Sequence, residues 1–306
     1  MGASQPAGAT AGPRRSVASR VVNEHVTGRP AAGLRQLISG YAGYRQAGGE
    51  PAVHRGLPSP FLTVIFTLDE PLNIAAHPDP AQPGGRYDTL VGGLHTTPAL
   101  IRHDGRQSGI QIAMSPLGAR PLLGVPAGEL ASLDLHGTEV LGPLATRVRQ
   151  QLAECGTWAG RFEILNGLLL ARAQASGPRT RAGISREVGH AWRELLRSGG
   201  RIGVARLAAD AGWSDRHLRA QFRQEIGLRP KAAARVIRFD QVPRRLLHTA
   251  RAGRVPDLAA LAAECGYYDQ AHLDREFAAL AGCTPTTWLA QEFRNVQAAA
   301  EYPVAG

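Results

Sequence analysis

The sequence predicts an α+β multidomain protein with a β-rich N-terminal domain, a helical connector and an all-α C-terminal domain. Three observations predict this class: short apolar runs broken by Gly and Pro in the first half, a change to helical spacing near residue 141, and basic charge concentrated in the last third. The chain has 306 residues, of which 43% are hydrophobic and 20% are charged. It can therefore bury a core, and its length suits about two domains.

The N-terminal half contains the predicted strands. Residues 1–30 are rich in Gly, Ala, Ser, Pro and Arg, and this composition predicts a disordered tail. The β-rich domain is expected over residues 31–140. Its strongest strand is the β-branched and aromatic run at residues 61–66, and weaker strands are expected at 90–94 and 110–112. Closely spaced short strands separated by turn residues predict a barrel or sandwich.

The remainder of the chain has helical periodicity. Residues 141–180 are expected to form a helical connector, and the breaker at 175–179 predicts a hinge between domains. Short helices follow one another over residues 185–291. Residues 292–306 are expected to be a C-terminal tail.

The excess positive charge lies in one segment. Residues 179–254 contain 18 Lys and Arg against 6 Asp and Glu, whereas the net charge of the whole chain is +10. Residues 255–306 are acidic, with 2 basic side chains against 7 carboxylates. Such a basic segment predicts a polyanionic partner, and a nucleic acid is the favoured one.

Composition also excludes several classes of protein. Only three cysteines occur and no CxxC motif is present, so neither a disulfide framework nor a thiolate zinc site is expected. No apolar run reaches the roughly 18 residues that a membrane helix needs, and the N-terminus lacks the apolar core of a secretory signal. We therefore expect a soluble, cytoplasmic protein with no membrane partner.

The last hundred residues contain an internal repeat. The segment LAADAGW at residues 207–213 recurs as LAAECGY at residues 261–267, an offset of 54. Apolar, Gly and Pro positions further along recur at an offset of 55. One residue is therefore inserted in the second copy, directly after its Gly-aromatic pair.

Each copy has the parts of a helix-turn-helix. A glycine ends the first helix with a positive φ, and Ser or Asp then caps the second helix. Two apolar residues four positions apart direct one face of the second helix inward. The predicted turn and core positions are Gly212, Ser214, Leu218, Phe222, Gly266, Leu273 and Phe277.

The other faces of the two second helices are free to meet DNA. Arg pairs with guanine and Gln with adenine in bidentate fashion, and both also bond phosphate oxygens. The predicted DNA-binding residues are Arg216, His217, Arg219, Gln221, Arg223, Gln270, His272 and Arg275.

Over residues 190–291 these motifs resemble the DNA-binding domain of AraC/XylS-type transcription regulators. The resemblance implies two helix-turn-helix units at about 202–224 and 257–280, joined by a linking helix at 231–250, within an AraC-type domain at 185–291. It implies sequence-specific binding of double-stranded DNA at promoter half-sites, with one recognition helix in each of two successive major grooves. Activation and repression stay open.

Two departures from the family pattern affect this expectation. Pro243 falls inside the linking helix, where its missing N–H should kink or divide the helix at a cost of ~3 kcal/mol. The second unit lies in the acidic segment, so we expect the first unit to supply most of the electrostatic affinity.

The resemblance also implies an N-terminal sensing or dimerisation domain, and we expect a cupin-like barrel. RNA polymerase, a small-molecule effector and a second copy of the chain are the further partners that the family admits. The N-terminal motifs do not match the sugar-binding barrel of the family, so the sequence names no ligand.

Two other function classes stay open from the sequence. The β-rich part contains His54, His95 and His103, but it lacks the His-x-His with a downstream Glu that metal-binding cupins carry, and no Gly-x-Ser-x-Gly occurs. We therefore expect no metal, no cofactor, no catalytic residue and no enzymatic activity. The alternative is a metal-dependent barrel enzyme or sensor fused to a DNA-binding domain. A basic architectural protein without sequence preference is the third reading.

Overall fold

A computed structural model describes residues 22–176 and 184–300, with side chains described as far as Glu292. The N-terminal part is built mainly of β-strands and the C-terminal part is helical, as the sequence predicted. The mixed α+β class is therefore confirmed.

The N-terminal strands form two antiparallel sheets. One sheet has six strands in the order β1-β2-β9-β4-β7-β10, and the other has four in the order β3-β8-β5-β6. The predicted barrel thus takes the form of a two-sheet sandwich. The strands are β1 (Val22–Gly28), β2 (Ile38–Ala47), β3 (Ala52–Gly56), β4 (Leu62–Thr67), β5 (Leu72–Ala76), β6 (Gly85–Tyr87), β7 (Thr89–Gly92), β8 (Ala99–His103), β9 (Gln107–Met114) and β10 (Asp134–His136).

Strand β1 corrects the expectation of a disordered tail over residues 1–30. Residues 22–28 form the edge strand of the larger sheet and pair with β2 from Val22↔Ala47 to Gly28↔Tyr41. Their composition is polar and gives little local signal for a strand. The backbone partners that stabilise it come from β2, which lies later in the chain. Residues 1–21 of the predicted tail lie outside the described residues.

The larger sheet buries apolar side chains on both of its faces. Toward the smaller sheet, Ile65 and Leu90 join Leu72, Ile74 and Tyr87 in one buried cluster. Side chains on the opposite face, including those of β4 and β9, belong to the main core together with side chains of the connector helices. Alternating side-chain direction along the strands produces these two layers.

Helix α1 (Ala119–Leu123) lies between β9 and β10 within the β-rich part. Three helices after β10 lead into the connector, namely α2 (Gly137–Leu141), α3 (Pro143–Glu154) and α4 (Trp158–Ala175). The last of them continues through Ala175, where the predicted hinge begins, and residues 177–183 of that region lie outside the described residues.

The C-terminal part contains a further series of helices. Among the residues that the structure describes, no helix combines the length and the apolar character needed to span a bilayer. The helices are α5 (Arg186–Arg197), α6 (Val204–Asp210), α7 (Asp215–Ile226), α8 (Pro230–Arg251), α9 (Leu258–Glu264), α10 (Gln270–Ala281) and α11 (Pro285–Ala300).

Two expectations about these helices need correction. The C-terminal tail predicted from residue 292 is helical as far as Ala300, because its Gln and Ala residues favour a helix and no proline interrupts it before Pro303. The linking helix α8 is not divided at Pro243. Phe239, Val242 and Leu246 around the proline are buried, and their burial offsets the missing hydrogen bond.

Polar contacts join the sandwich to the helical part. Arg120 on α1 donates two hydrogen bonds of 2.8 Å to the Glu225 carboxylate near the end of α7. At a second place, His54 Nδ1 on β3 lies 2.9 Å from Glu292 Oε1 on α11, and the neighbouring Arg55 donates to Gln291. The β-rich part therefore contacts both the first helix pair and the last helix.

Candidate nucleic-acid interface and effector cavity

The first helix-turn-helix consists of α6 and α7. Gly212 ends the turn of α6 with a φ of +66°, a conformation that favours glycine. Ser214 then caps α7, since its Oγ accepts a hydrogen bond of 3.3 Å from the His217 N–H. The short turn fixes the angle at which α7 leaves α6.

The second helix-turn-helix consists of α9 and α10 and repeats these features. Gly266 has a φ of +77°. Asp269 caps α10 by accepting a hydrogen bond of 2.6 Å from the His272 N–H, and Asp257 caps α9 in the same way. Carboxylate caps also interact favourably with the positive ends of the helix dipoles.

Four predicted core positions anchor the two second helices. Leu218 and Phe222 on α7, and Leu273 and Phe277 on α10, are fully buried. Phe222 packs against Trp192 on α5 with ring centroids 6.2 Å apart, and Phe277 packs against the linking helix. This packing determines which faces of α7 and α10 point outward.

The outward side of α7 is rich in arginine. Arg216, Arg219 and Arg223 are exposed, and their spacing of three and four residues places them along one side of the helix. Arg219 makes an exposed 3.3 Å ion pair with Asp215, within the same helix. His217 is exposed beside the Trp213 ring, whereas Gln221 is half-buried.

The outward side of α10 is less basic. Gln270 and Arg275 are exposed, and His272 is half-buried. The Tyr268 N–H donates to His272 Nδ1 at 3.3 Å. A neutral His272 ring therefore carries its proton on Nε2, which leaves that atom as a hydrogen-bond donor. Glu276 on the same helix pairs with Arg235 of α8 at 2.7 Å, so part of the acidic charge of this unit is neutralised.

Tyr268 is a candidate contact that the sequence reasoning did not select. It is 92% exposed and stands directly before the cap of α10. It also occupies the place of the one-residue insertion in the second copy. That insertion was the signal that could have identified it, because the added residue has no counterpart among the packed positions of the first copy.

A cavity of about 440 Å³ lies inside the β-sandwich and reaches the helical part. Its lining brings together His54, His95 and His103, which are scattered in the sequence. Arg251 at the end of α8 and Glu292 on α11 also line it. The cavity therefore borders helices on both sides of the second helix-turn-helix.

Three histidines of the cavity have lowered pKa values. Burial lowers the pKa of His95 and of His103 below the ordinary value of 6.5. His25 at the same cavity has a lowered pKa because of burial and, to a smaller extent, because of the Arg251 charge. These rings are therefore neutral at pH 7.

A buried polar network lies beside the cavity and contributes Asp134 to its lining. Asp134 on β10 accepts a hydrogen bond of 2.7 Å from His77 Nδ1, and the Tyr87 hydroxyl lies 3.2 Å from His77 Nε2. This network could not be predicted from the sequence, since its members come from separate loops and strands. Within the described part of the chain, no cluster of three His, Cys, Asp or Glu side chains has the arrangement needed to hold a metal ion.

Comparison with known families identifies the helical part. Residues 207–291, which include both helix pairs, match the family described as a helix-turn-helix domain. The C-terminal region is an AraC-type helix-turn-helix domain. The resemblance drawn from the repeat is thereby confirmed. Residues 27–136, which span the sandwich, match a family described as a domain of unknown function (DUF6597).

Among the solved structures of similar fold are structures of ToxT from Vibrio cholerae. ToxT from Vibrio cholerae O395 is 11% identical, with a TM-score of 0.47 over 82% of this chain and 96% of ToxT. Wild-type ToxT from strain SCE256, bound to an unsaturated fatty acid, is 9% identical, with a TM-score of 0.42 over 79% of this chain and 92% of ToxT. No curated protein matches the chain.

Proposed function

We propose that the chain is a sequence-specific transcription regulator whose DNA binding is controlled by a small effector in the sandwich cavity. The observation that best supports DNA reading is the row of Arg216, Arg219 and Arg223 on the outward side of a recognition helix. Exposed guanidinium groups on such a helix bond guanine edges and phosphate oxygens in a major groove. Gln270 and the Nε2–H of His272 would read the adjoining groove.

The position of the cavity supports control by an effector. Arg251 and Glu292 line the cavity and belong to the helices that precede and follow the second helix-turn-helix. An occupant would therefore contact the DNA-binding domain directly. If a ligand contacts these two side chains in one arrangement of the domains and not in another, it stabilises the first arrangement. The fraction of molecules that is competent to bind DNA would change accordingly.

The DNA-binding proposal is tested with the full chain and fragments of its own genome. Fragments retained after selection should show two protected regions about one helical turn apart in a footprint. The double variant Arg216→Ala with Arg219→Ala should lose this protection, whereas Arg147→Ala, an exposed arginine on α3, should keep it. Equal protection by the double variant would contradict the assignment of α7 as a recognition helix.

Control by an effector is tested in the same system. A ligand that binds the cavity should change the affinity for the selected fragment, and Glu292→Gln should reduce that change. Homodimerisation and contact with RNA polymerase stay predictions.

A further inference from the structure

The cavity contains two neutral imidazoles of opposite hydrogen-bonding character. His95 Nδ1 lies 2.5 Å from the Thr97 carbonyl oxygen, which can only accept, so the His95 proton is on Nδ1 and its Nε2 is an acceptor. The Gly105 N–H donates to His103 Nδ1 at 3.2 Å, so the His103 proton is on Nε2, which is a donor. Burial keeps both rings uncharged.

The two rings lie toward opposite ends of the cavity wall formed by β8. His95 precedes the strand and His103 ends it. Between them, Ala99 and Ile101 line the cavity at alternating positions. The strand from Ala99 to His103 spans about 13 Å, and His95 lies beyond its Ala99 end. Aliphatic side chains of other strands complete this apolar middle section, namely Ile65, Leu72, Ile74 and Leu90.

The charged side chains of the lining do not favour an anionic ligand. Three carboxylates, Glu24, Asp134 and Glu292, face two guanidinium groups, Arg45 and Arg251. Each carboxylate already has a partner: Trp158 Nε1 donates to Glu24, His77 to Asp134, and His54 pairs with Glu292. The fixed charge of the cavity is thus close to balance, with a small excess of negative groups.

We propose that the cavity selects an uncharged, elongated molecule with an apolar middle, a hydrogen-bond donor at the His95 end and an acceptor at the His103 end. This inference rests on the proposed effector function of the same cavity. At either end a ligand carboxylate would meet a neutral ring where a cation would be needed to pair with it, in a lining that holds three carboxylates against two guanidinium groups, so part of its hydration would be lost without compensation. Neutral donor and acceptor groups would each find a complementary ring nitrogen.

The test uses a panel of para-substituted phenols that carry a ketone or a primary amide at the far end. The same phenols with a carboxylate at that position form the matched set. Isothermal titration of the full chain should give dissociation constants about tenfold or more lower for the uncharged members. Equal or tighter binding of the carboxylates, or binding by no uncharged member, would overturn the proposal.

Substitutions of the two histidines show which end of the ligand each ring contacts. His103→Leu should raise the dissociation constant of the ketones about tenfold, and His103→Gln, which keeps a donor, should restore it. His95→Leu should weaken the phenols but not their methyl ethers, which lack the donor. His190→Leu, an exposed position on α5, is the control and should change nothing. The comparison of uncharged ligands with their carboxylate counterparts uses the unaltered chain, so it does not depend on whether a variant folds.

The effector function and the ligand class fail in different ways. If uncharged members bind in the cavity but leave the affinity for the selected DNA fragment unchanged, the ligand class stands and effector control is contradicted. If carboxylates bind and change the DNA affinity, effector control stands and the ligand class is wrong.

Discussion

The ion pair between Arg120 and Glu225 offers a quantitative test of how the sandwich supports the first recognition helix. The Glu225 side chain is 11% exposed and that of Arg120 is 27% exposed, and two hydrogen bonds of 2.8 Å join them. Removing one partner of a buried pair costs about 3–5 kcal/mol, because the other charge is left without compensation. Water reaches part of Arg120, so we expect Arg120→Met to cost about 2–3 kcal/mol.

A double-mutant cycle separates the pair from its surroundings. Combining Arg120→Met with Glu225→Leu replaces both charges by apolar side chains of similar size, and such replacements are often close to neutral. The double variant should therefore recover most of the stability lost in the single variant, which gives a coupling energy of about 1.5 kcal/mol or more. Urea unfolding, followed by tryptophan fluorescence, measures each corner of the cycle.

An exposed pair on the neighbouring helix is the matched control. Arg206 Nε lies 2.9 Å from Asp210 Oδ1 on α6, and its side chain is largely exposed. Arg206→Met should cost less than about 1 kcal/mol. If Arg120→Met costs no more than this control, or if the double variant loses the sum of its two single losses, the sandwich does not hold α7 through this pair.

Three further predictions concern DNA affinity and pH. Because the first unit carries the basic charge, Arg219→Ala should weaken binding more than Gln270→Ala in a titration between about 0.1 and 0.2 M salt, and equal losses would contradict this ranking. Tyr268→Ala should weaken binding to the selected site about tenfold, as measured by fluorescence anisotropy. The control Val255→Ala, at a position that is 93% exposed, should have no effect on binding. Equal effects of the two substitutions would show that Tyr268 is not part of the interface. Burial lowers the pKa of His95 below 6.5, so the unfolded chain binds a proton that the folded chain does not, and stability should fall as pH drops below about 6.5. His95→Gln should reduce the loss of unfolding free energy between pH 7 and 5.5 by up to ~1.4 kcal/mol. If the pH dependence of thermal unfolding is unchanged in this variant, His95 is not the group responsible for the loss.

The helical half of the fold follows closely from its sequence, since the signals there are local. Gly212 and Gly266 mark the turns, and Ser214 and Asp269 mark the helix starts, within a few residues of the positions that they affect. Pro243 is the exception: the local rule predicted a kink or a division, and the helix continues through the proline, where its neighbours Phe239, Val242 and Leu246 are buried.

The β-rich half is harder to predict because its determinants are distant in the chain. Strand β1 depends on pairing with β2, and the network of His77, Tyr87 and Asp134 joins segments up to 57 residues apart. The cavity is a space between two sheets, so no single segment of the sequence predicts it. His95 and His103 therefore appeared in the sequence as unrelated histidines, and their tautomers depend on backbone groups that only the fold places beside them.

Competition binding tests the central claim most directly. The full chain is titrated against a genomic fragment obtained by selection, in the presence of increasing unrelated DNA at about 0.15 M salt. Two arginine- and glutamine-bearing recognition helices predict that the fragment is retained at about a 10³-fold excess of competitor. Displacement by an equal amount of unrelated DNA would show that the chain recognises the charge of the backbone and does not read base pairs.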